Sequence, residues 1–494
     1  MEEQNNQNLD NLADENNSLS RANDSNTENT SLIAKIINKV TKNPKGTLIG
    51  VTVIVVALIS IILLVNNGNN NDDNNKNNNE TPEEVHTPYE AFTFYPQSSD
   101  TYVVAIAPEG KYYSEIVIPS TYNGKSVVEI AKEGFKECEE LESITFPNTI
   151  KKIGENAFEG CTDLRTLTLS APLTIGLYAF KSTYISTVYF DGSLEEWLEM
   201  DYDGFIEIPL FTGWNTELYL NNQLLTDLDF TGIPSYYVDA YIFGGLDSIK
   251  SVTIPEGYYS CPYFGGCSSL ETVTIHDSVN MLFGFENCTS LKNITIPSHV
   301  TGIYEGDFRG CSALESISIP NSIKKIGGSA FYGCYSLKSI TIPESVTTIG
   351  ESAFQNCSSL ETVVFTNPTT EIQRCAFKNC SKLKNITLPR LLLEIKEGTF
   401  YGCKSLTKIS LPSTILATAY QTFMNCTSLE SVEFQGPIIT IAAETFEGCS
   451  SLTDIYFAGD KFMWNYTVKK YTDWNKDTGN YVIHCTDGVL YKNN

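Results

Sequence analysis

A recurring phenylalanine sets a period that leaves few folds open to this chain. In the phrase Ala-Phe-x-x-Cys and its variants it falls at Phe135, Phe158, Phe180, Phe243, Phe264, Phe285, Phe308, Phe331, Phe354, Phe377, Phe400, Phe423 and Phe446. From Phe285 to Phe446 there are seven intervals of 23 residues each, and the earlier ones are 23, 22, 63, 21 and 21. Cys stands three residues after Phe in eleven of the thirteen cases, Thr183 and Leu246 being the exceptions. Self-similarity at this period belongs to architectures that stack one small unit on the next.

One unit shows why. In Phe331-Tyr-Gly-Cys334-Tyr-Ser-Leu337-Lys-Ser-Ile340-Thr-Ile342-Pro343, the pair Ile340 and Ile342 alternates with Ser339 and Thr341. That is the period of a half-buried strand. Pro343 lacks an amide hydrogen and favours the strand's end. Val346 and Ile349 turn inward again, Gly350 permits a turn, and the Ser/Ala-Phe segment is expected to be a short helical turn. A unit this small cannot bury its apolar face alone, whereas stacked units can. The expected fold class is a repeat solenoid of leucine-rich-repeat-like stacked short parallel strands with short helical turns.

The pattern resembles the BspA-like leucine-rich repeat family. The phrase Ile326-Gly-Gly-Ser-Ala-Phe331-Tyr-Gly-Cys334-x-x-Leu337 carries the resemblance, which covers roughly residues 91–494. It implies a surface or secreted protein, in a family with several members implicated in adhesion; the periodicity itself implies only a solenoid. Expected divisions are a cap over 91–129, the array over 130–454 with an insertion near 186–240, and a second cap over 455–494. Phe92–Phe94, Tyr102–Ile106 and Glu115–Ile118 alternate as the strands of the first cap.

One phrase departs from the repeat and occurs twice. Val188-Tyr189-Phe190-Asp191-Gly192 with Trp197 returns as Ile455-Tyr456-Phe457-Ala458-Gly459 with Trp464. A Trp-Asn pair follows each, at Trp214-Asn215 and Trp474-Asn475. The second copy stands where a solenoid needs a cap. Capping and packing is the plainer reading, and Trp197 and Trp464 are also an alternative binding module.

The register cysteines read as a buried ladder of free thiols, because Cys packs as a small hydrophobe. Disulfides between adjacent coils are the alternative in an oxidising space. No Cys-x-x-Cys occurs and no histidine follows the period, so no metal site is expected. Cys261, Cys375 and Cys485 lie outside the register. In His484-Cys485-Thr486-Asp487-Gly488, neighbours on a strand point to opposite faces, so His484 and Cys485 are not expected to pair. No phosphate-cradling loop, framed carboxylate pair or nucleophile with its base stands out; no cofactor and no enzymatic activity are expected. Asn-x-Ser/Thr matches such as Asn287-Cys288-Thr289 and Asn356-Cys357-Ser358 follow from the repeat and read as structural turns.

Location comes from the other end of the chain. Gly46–Val65 carries no charged residue, and about 20 residues at 1.5 Å each span a bilayer's hydrocarbon. The run predicts one N-terminal transmembrane helix over 46–65 tethering the solenoid. Lys35, Lys39, Lys42 and Lys45 precede it, while Asp72 and Asp73 are the first charges beyond it. That asymmetry predicts a single-pass cell-membrane protein, N-terminus cytoplasmic and repeats extracellular. Residues 1–45 read as a disordered tail with a basic juxtamembrane end. Residues 66–90 read as an Asn-rich linker, since such a composition forms no core.

Charge and outward positions bound the function. Lys and Arg number 33 against 59 Asp and Glu, a net charge of −26, which excludes a general nucleic-acid binder. The residue after each repeat leucine, or after Ile249 in its place, runs Lys250, Glu271, Lys292, Glu315, Lys338, Glu361, Lys384. This alternation either helps fix the stacking register or is ordinary solvated charge. Between the inward apolar residues stand Thr274, Thr295, Ser318, Thr341, Thr387 and Ser410, the candidate binding face. Two functions follow: a tethered solenoid that binds an extracellular protein or glycan in adhesion, or a surface coat or spacer with no specific ligand.

Overall fold

The computed structural model describes residues 86–203, 215–235, 242–282, 284–471 and 473–492, all within one compact unit, Glu84–Asn494. The tail, the span at 46–65, most of the linker, Trp214 and parts of the insertion lie outside the described residues. Among those described, no helix is long and apolar enough to cross a membrane.

Most coils lay down two strands. In the Phe331 coil these are Ser339–Ile342 and Thr348–Ile349. The first pairs in parallel with Thr362–Phe365, placing Ile340 beside Val363 and Thr341 beside Val364. The second belongs to a row of parallel strands, Gly302–Ile303, Lys325–Ile326, Thr348–Ile349 and Glu371–Ile372. Ile340, Ile342, Val346, Ile349, Phe331, Cys334 and Leu337 all enter one core. The longer strand stops at Ile342, just before Pro343, as expected of a residue with no amide to donate.

The phenylalanine segment corrects an expectation: it is a chain of turns with no helix. From Phe308 to Phe446, the residues two before and two after Phe carry positive φ, as in Ser329 (51°) and Gly333 (73°), or Ser352 (56°) and Asn356 (64°). Left-handed residues on either side of Phe, four apart, stop a right-handed helix from propagating. The freed amides bond to the next coil instead: Ser329 N to Glu351 O at 2.8 Å, Phe331 N to Ala353 O at 2.7 Å, Gly333 N to Gln355 O at 2.9 Å. This also explains the Asn before the cysteine. Asn287, Asn356, Asn379 and Asn425 sit at φ 58–64°, a conformation Asn tolerates better than most residues.

The turns stack the phenylalanines into a column. Adjacent rings from Phe308 to Phe446 lie 5.1–5.8 Å apart at 2–6°. Beside it runs the cysteine ladder, every member buried with its thiol free. The thiol does more than fill space. Each ladder cysteine from Cys267 to Cys449 donates to the carbonyl of the preceding coil's phenylalanine, for instance Cys334 Sγ to Phe308 O at 3.2 Å and Cys357 Sγ to Phe331 O at 3.1 Å.

Both ends are closed. At the N-terminal end Phe92–Pro96 pairs antiparallel with Thr101–Ile106, which leads in parallel to Lys125–Ile130. Thr121–Tyr122 folds back on that strand through Asn123 (φ 50°) and Gly124 (φ 71°), the left-handed pair that a tight hairpin demands. At the C-terminal end Trp474 meets Phe446 edge-on, centroids 6.2 Å apart at 78°, and so finishes the column. Val482–Cys485 then adds to the sheet, and Gly488–Tyr491 turns back antiparallel beside it.

The twice-used phrase builds the same piece twice. Thr187–Phe190 and Asp454–Phe457 are sheet strands, each followed by a short helix, Leu194–Trp197 and Met463–Thr467. The tryptophan packs edge-on against the phrase's phenylalanine: Phe190–Trp197 at 5.4 Å and 74°, Phe457–Trp464 at 5.3 Å and 65°. Each copy ends in an antiparallel hairpin, Glu217–Leu220 with Gln223–Leu224 in the first. The first copy thus ends a six-stranded sheet within the array, and Asp227–Asp229 begins the next sheet.

Candidate functional site

On a parallel strand every second side chain faces away from the core, and the outward side chains of the longer strands form the surface on which a ligand could lie. Thr274, Thr295, Ser318, Thr341 and Thr387 are exposed and Ser410 is half-buried. Their backbones align across coils, Thr274 beside Thr253 and Thr295 beside Ser318. Ser410 Oγ donates to Glu433 at 2.6 Å, and Ser316 Oγ donates to Asn293 at 2.8 Å one row away. Val364, half exposed, is the apolar exception.

The charged row beside this face forms ion pairs across coils. Lys338 Nζ reaches back to Glu315 at 2.5 Å and Lys384 Nζ to Glu361 at 2.9 Å. Both carboxyls are held below their ordinary range, chiefly by the hydrogen bond from the lysine and then by its charge. All four side chains are exposed, so salt screens the pairs.

The tryptophans of the repeated phrase lie inside. Trp197 is fully buried and Trp464 is 3% exposed. The outward aromatic surface of those two pieces is made by other residues. In the first, Tyr189 and Tyr219 stand side by side on paired strands, ring centroids 4.9 Å apart. In the second, Tyr456 and His484 occupy the matching positions, stacked at 4.6 Å and 13°. An aliphatic side chain on the hairpin strand follows each pair: Leu224 beside Tyr219 and Val489 beside His484, about two-fifths exposed in both cases. Alternation within Val188-Tyr189-Phe190 and Ile455-Tyr456-Phe457 already points these tyrosines outward, a signal overshadowed by the tryptophans.

Each aromatic pair holds a carboxylate. Tyr219 Oη donates to Glu217 at 2.9 Å; its hydroxyl is pushed up to about 12, by desolvation first and then by Glu217. His484 Nε2 lies 2.6 Å from Asp454 Oδ1, and that contact holds Asp454 below the usual carboxylate range. Cys485 points the other way, against the core, so His484 pairs with Asp454 and not with its sequence neighbour. Among the described residues, no group of three or more His, Cys, Asp or Glu is placed to hold a metal ion.

Comparison with known proteins places this architecture. The chain matches the model of the BspA type leucine rich repeat region over residues 110–203, 217–284, 236–361, 282–390 and 348–466. No curated protein sequence matches it. Among solved structures it is similar to a leucine-rich repeat protein from Bacteroides ovatus, at 24% identity over 81% of this chain and 99% of that one, with a TM-score of 0.50. A leucine rich cell surface protein from Faecalibacterium prausnitzii is 22% identical over 78% of this chain and 98% of that one, with a TM-score of 0.41. The 23-residue coils, their stacked phenylalanines and the family match together make this chain a member of the BspA type leucine rich repeat family.

Proposed function

We propose that the chain is a cell-surface binding scaffold, tethered through 46–65 with its repeats outside the cell, which holds an extracellular protein or glycan on its outward sheet face and so mediates adhesion. The observation that carries this reading is the row from Thr274 to Ser410: small hydroxyl side chains facing outward in most successive coils of the solenoid, interrupted only by Val364. Such a surface has few anchors per coil, and many aligned contacts or many copies on one cell supply avidity. Anchoring rests on the uncharged run Gly46–Val65 and its flanking lysines. No nucleic acid, cofactor or catalytic chemistry enters the reading.

The test replaces Thr295, Ser318 and Thr341 together with Glu and measures adhesion of cells displaying the full chain. All three side chains are exposed, so folding should survive, checked by circular dichroism. Adhesion should fall at least several-fold. Unchanged adhesion would reject this face, and self-association of the chain without any adhesion would favour a coat or spacer.

A further inference from the structure

A solenoid needs nothing more at its outward strand positions than a polar residue that tolerates an extended backbone. Thr145, Thr168, Thr253, Thr274, Thr295, Ser318, Thr341, Thr387 and Ser410 meet that need. The two cap-like pieces depart from it in the same way: a tyrosine, a second aromatic ring and a half-exposed aliphatic side chain on three adjacent strands, with a carboxylate bonded to the second ring. Buried Phe190–Trp197 and Phe457–Trp464 account for the shared packing. They do not require an aromatic ring on the solvent side.

We propose that Tyr189–Tyr219–Leu224 and Tyr456–His484–Val489 are two copies of one binding platform for arginine- or lysine-bearing extended segments of a protein partner. The choice rests on charge complementarity. Platform carboxylates are Glu217 in the copy within the array, and Asp454 with Glu433, which stands beside Tyr456, in the C-terminal copy. Lys408, two strands from Asp454, is the cation in that row, and the chain as a whole carries −26. A guanidinium can lie on a tyrosine face and pair with the adjacent carboxylate, while its aliphatic stem covers the Leu or Val. A neutral saccharide could use the rings and hydrogen-bond a carboxylate, but only a cation gains from the net negative charge. Two platforms on one rigid array give a partner with two basic segments an effective-concentration advantage.

The proposal deepens the scaffold reading and rests on it for biological context, yet the binding step can be tested alone. The probe is a fluorescent eight-residue peptide of alternating Arg and Thr, titrated by anisotropy onto the purified full-length chain in detergent, with a Glu-for-Arg peptide as control. Tyr189→Thr, Tyr219→Thr, Tyr456→Thr and His484→Thr restore the array's usual residue at each site. The quadruple variant should bind at least tenfold more weakly, and each double variant should show intermediate loss. Wild-type affinity should fall as salt rises. Should the quadruple variant melt earlier, Glu217→Gln with Asp454→Asn keeps every ring, and should weaken binding and flatten the salt dependence. Equal binding by these variants, no Arg-peptide binding by the wild type, or platform-dependent binding of a glycan array instead would each overturn the proposal. Platform binding without cell adhesion would refute the scaffold reading alone.

Discussion

Phe354 sits in the middle of the column, fully buried, with Phe331 at 5.1 Å and 6° on one side and Phe377 at 5.4 Å and 2° on the other. Truncating it to alanine should cost about 3–5 kcal/mol through lost burial and the cavity left behind. The column makes a sharper claim than that single figure. If neighbouring rings stabilise one another beyond their burial, Phe331→Ala and Phe354→Ala should be coupled by about 0.5–1.5 kcal/mol. Phe158→Ala and Phe423→Ala, far apart in the array, should be additive to within about 0.5 kcal/mol. Urea denaturation followed by circular dichroism gives the four energies. Long arrays lose all-or-none behaviour, so amide exchange in coils 331–377 should accompany it. Coupling in the adjacent pair no larger than in the distant pair would refute the column as a cooperative element.

Three further outcomes are expected. Asp307 takes the place of the usual alanine before Phe and is 5% exposed; burial pushes its carboxyl up to about 6, against the amide of Tyr304 at 2.6 Å. Between its ordinary value and 6 the folded chain keeps a proton the unfolded chain has shed, so stability should fall by about 3 kcal/mol as pH rises through that window. Asp307→Asn should flatten the pH dependence in thermal melts from pH 4 to 7.5, and an unchanged slope would exclude Asp307 as its source. Burial raises the thiols of the ladder from Cys267 to Cys449. Alkylation read by mass spectrometry should therefore label the partly exposed Cys375 and Cys485 first, and the ladder only in denaturant; simultaneous labelling would contradict this. Deleting 455–494 strips Trp474 from Phe446 and should cause fraying or aggregation, whereas an unchanged melting curve would mean the column needs no such lid.

The repeat and its inward strand residues were legible because they rest on local pattern: Ile340 and Ile342 alternate, and Pro343 ends the strand. The turns were harder to read. Ser329 and Ser352 have no obvious reason to be left-handed, and take that shape because their amides bond to the next coil. The second strand, Thr348–Ile349, is two residues long, too short for alternation to register. Thiol donation depends on where Phe331 O lies relative to Cys357, 26 residues on, which no local pattern contains. At the candidate surface the hydroxyl row was readable from period two. The aromatic platforms needed the strand pairing that sets Tyr456 against His484.

The hairpin at Glu217–Leu220 and Gln223–Leu224 interrupts the outward sheet, although the core runs on past it through Thr216 and Leu246. In a chain of nearest-neighbour contacts, unravelling spreads coil by coil until it reaches a weak or discontinuous junction. Here that junction is a firebreak. Pulled from its C-terminal end, the molecule should pause at this junction once the coils beyond Asp227 have yielded, while those before Leu224 hold. Damage to one half of the array would then leave the other half still folded.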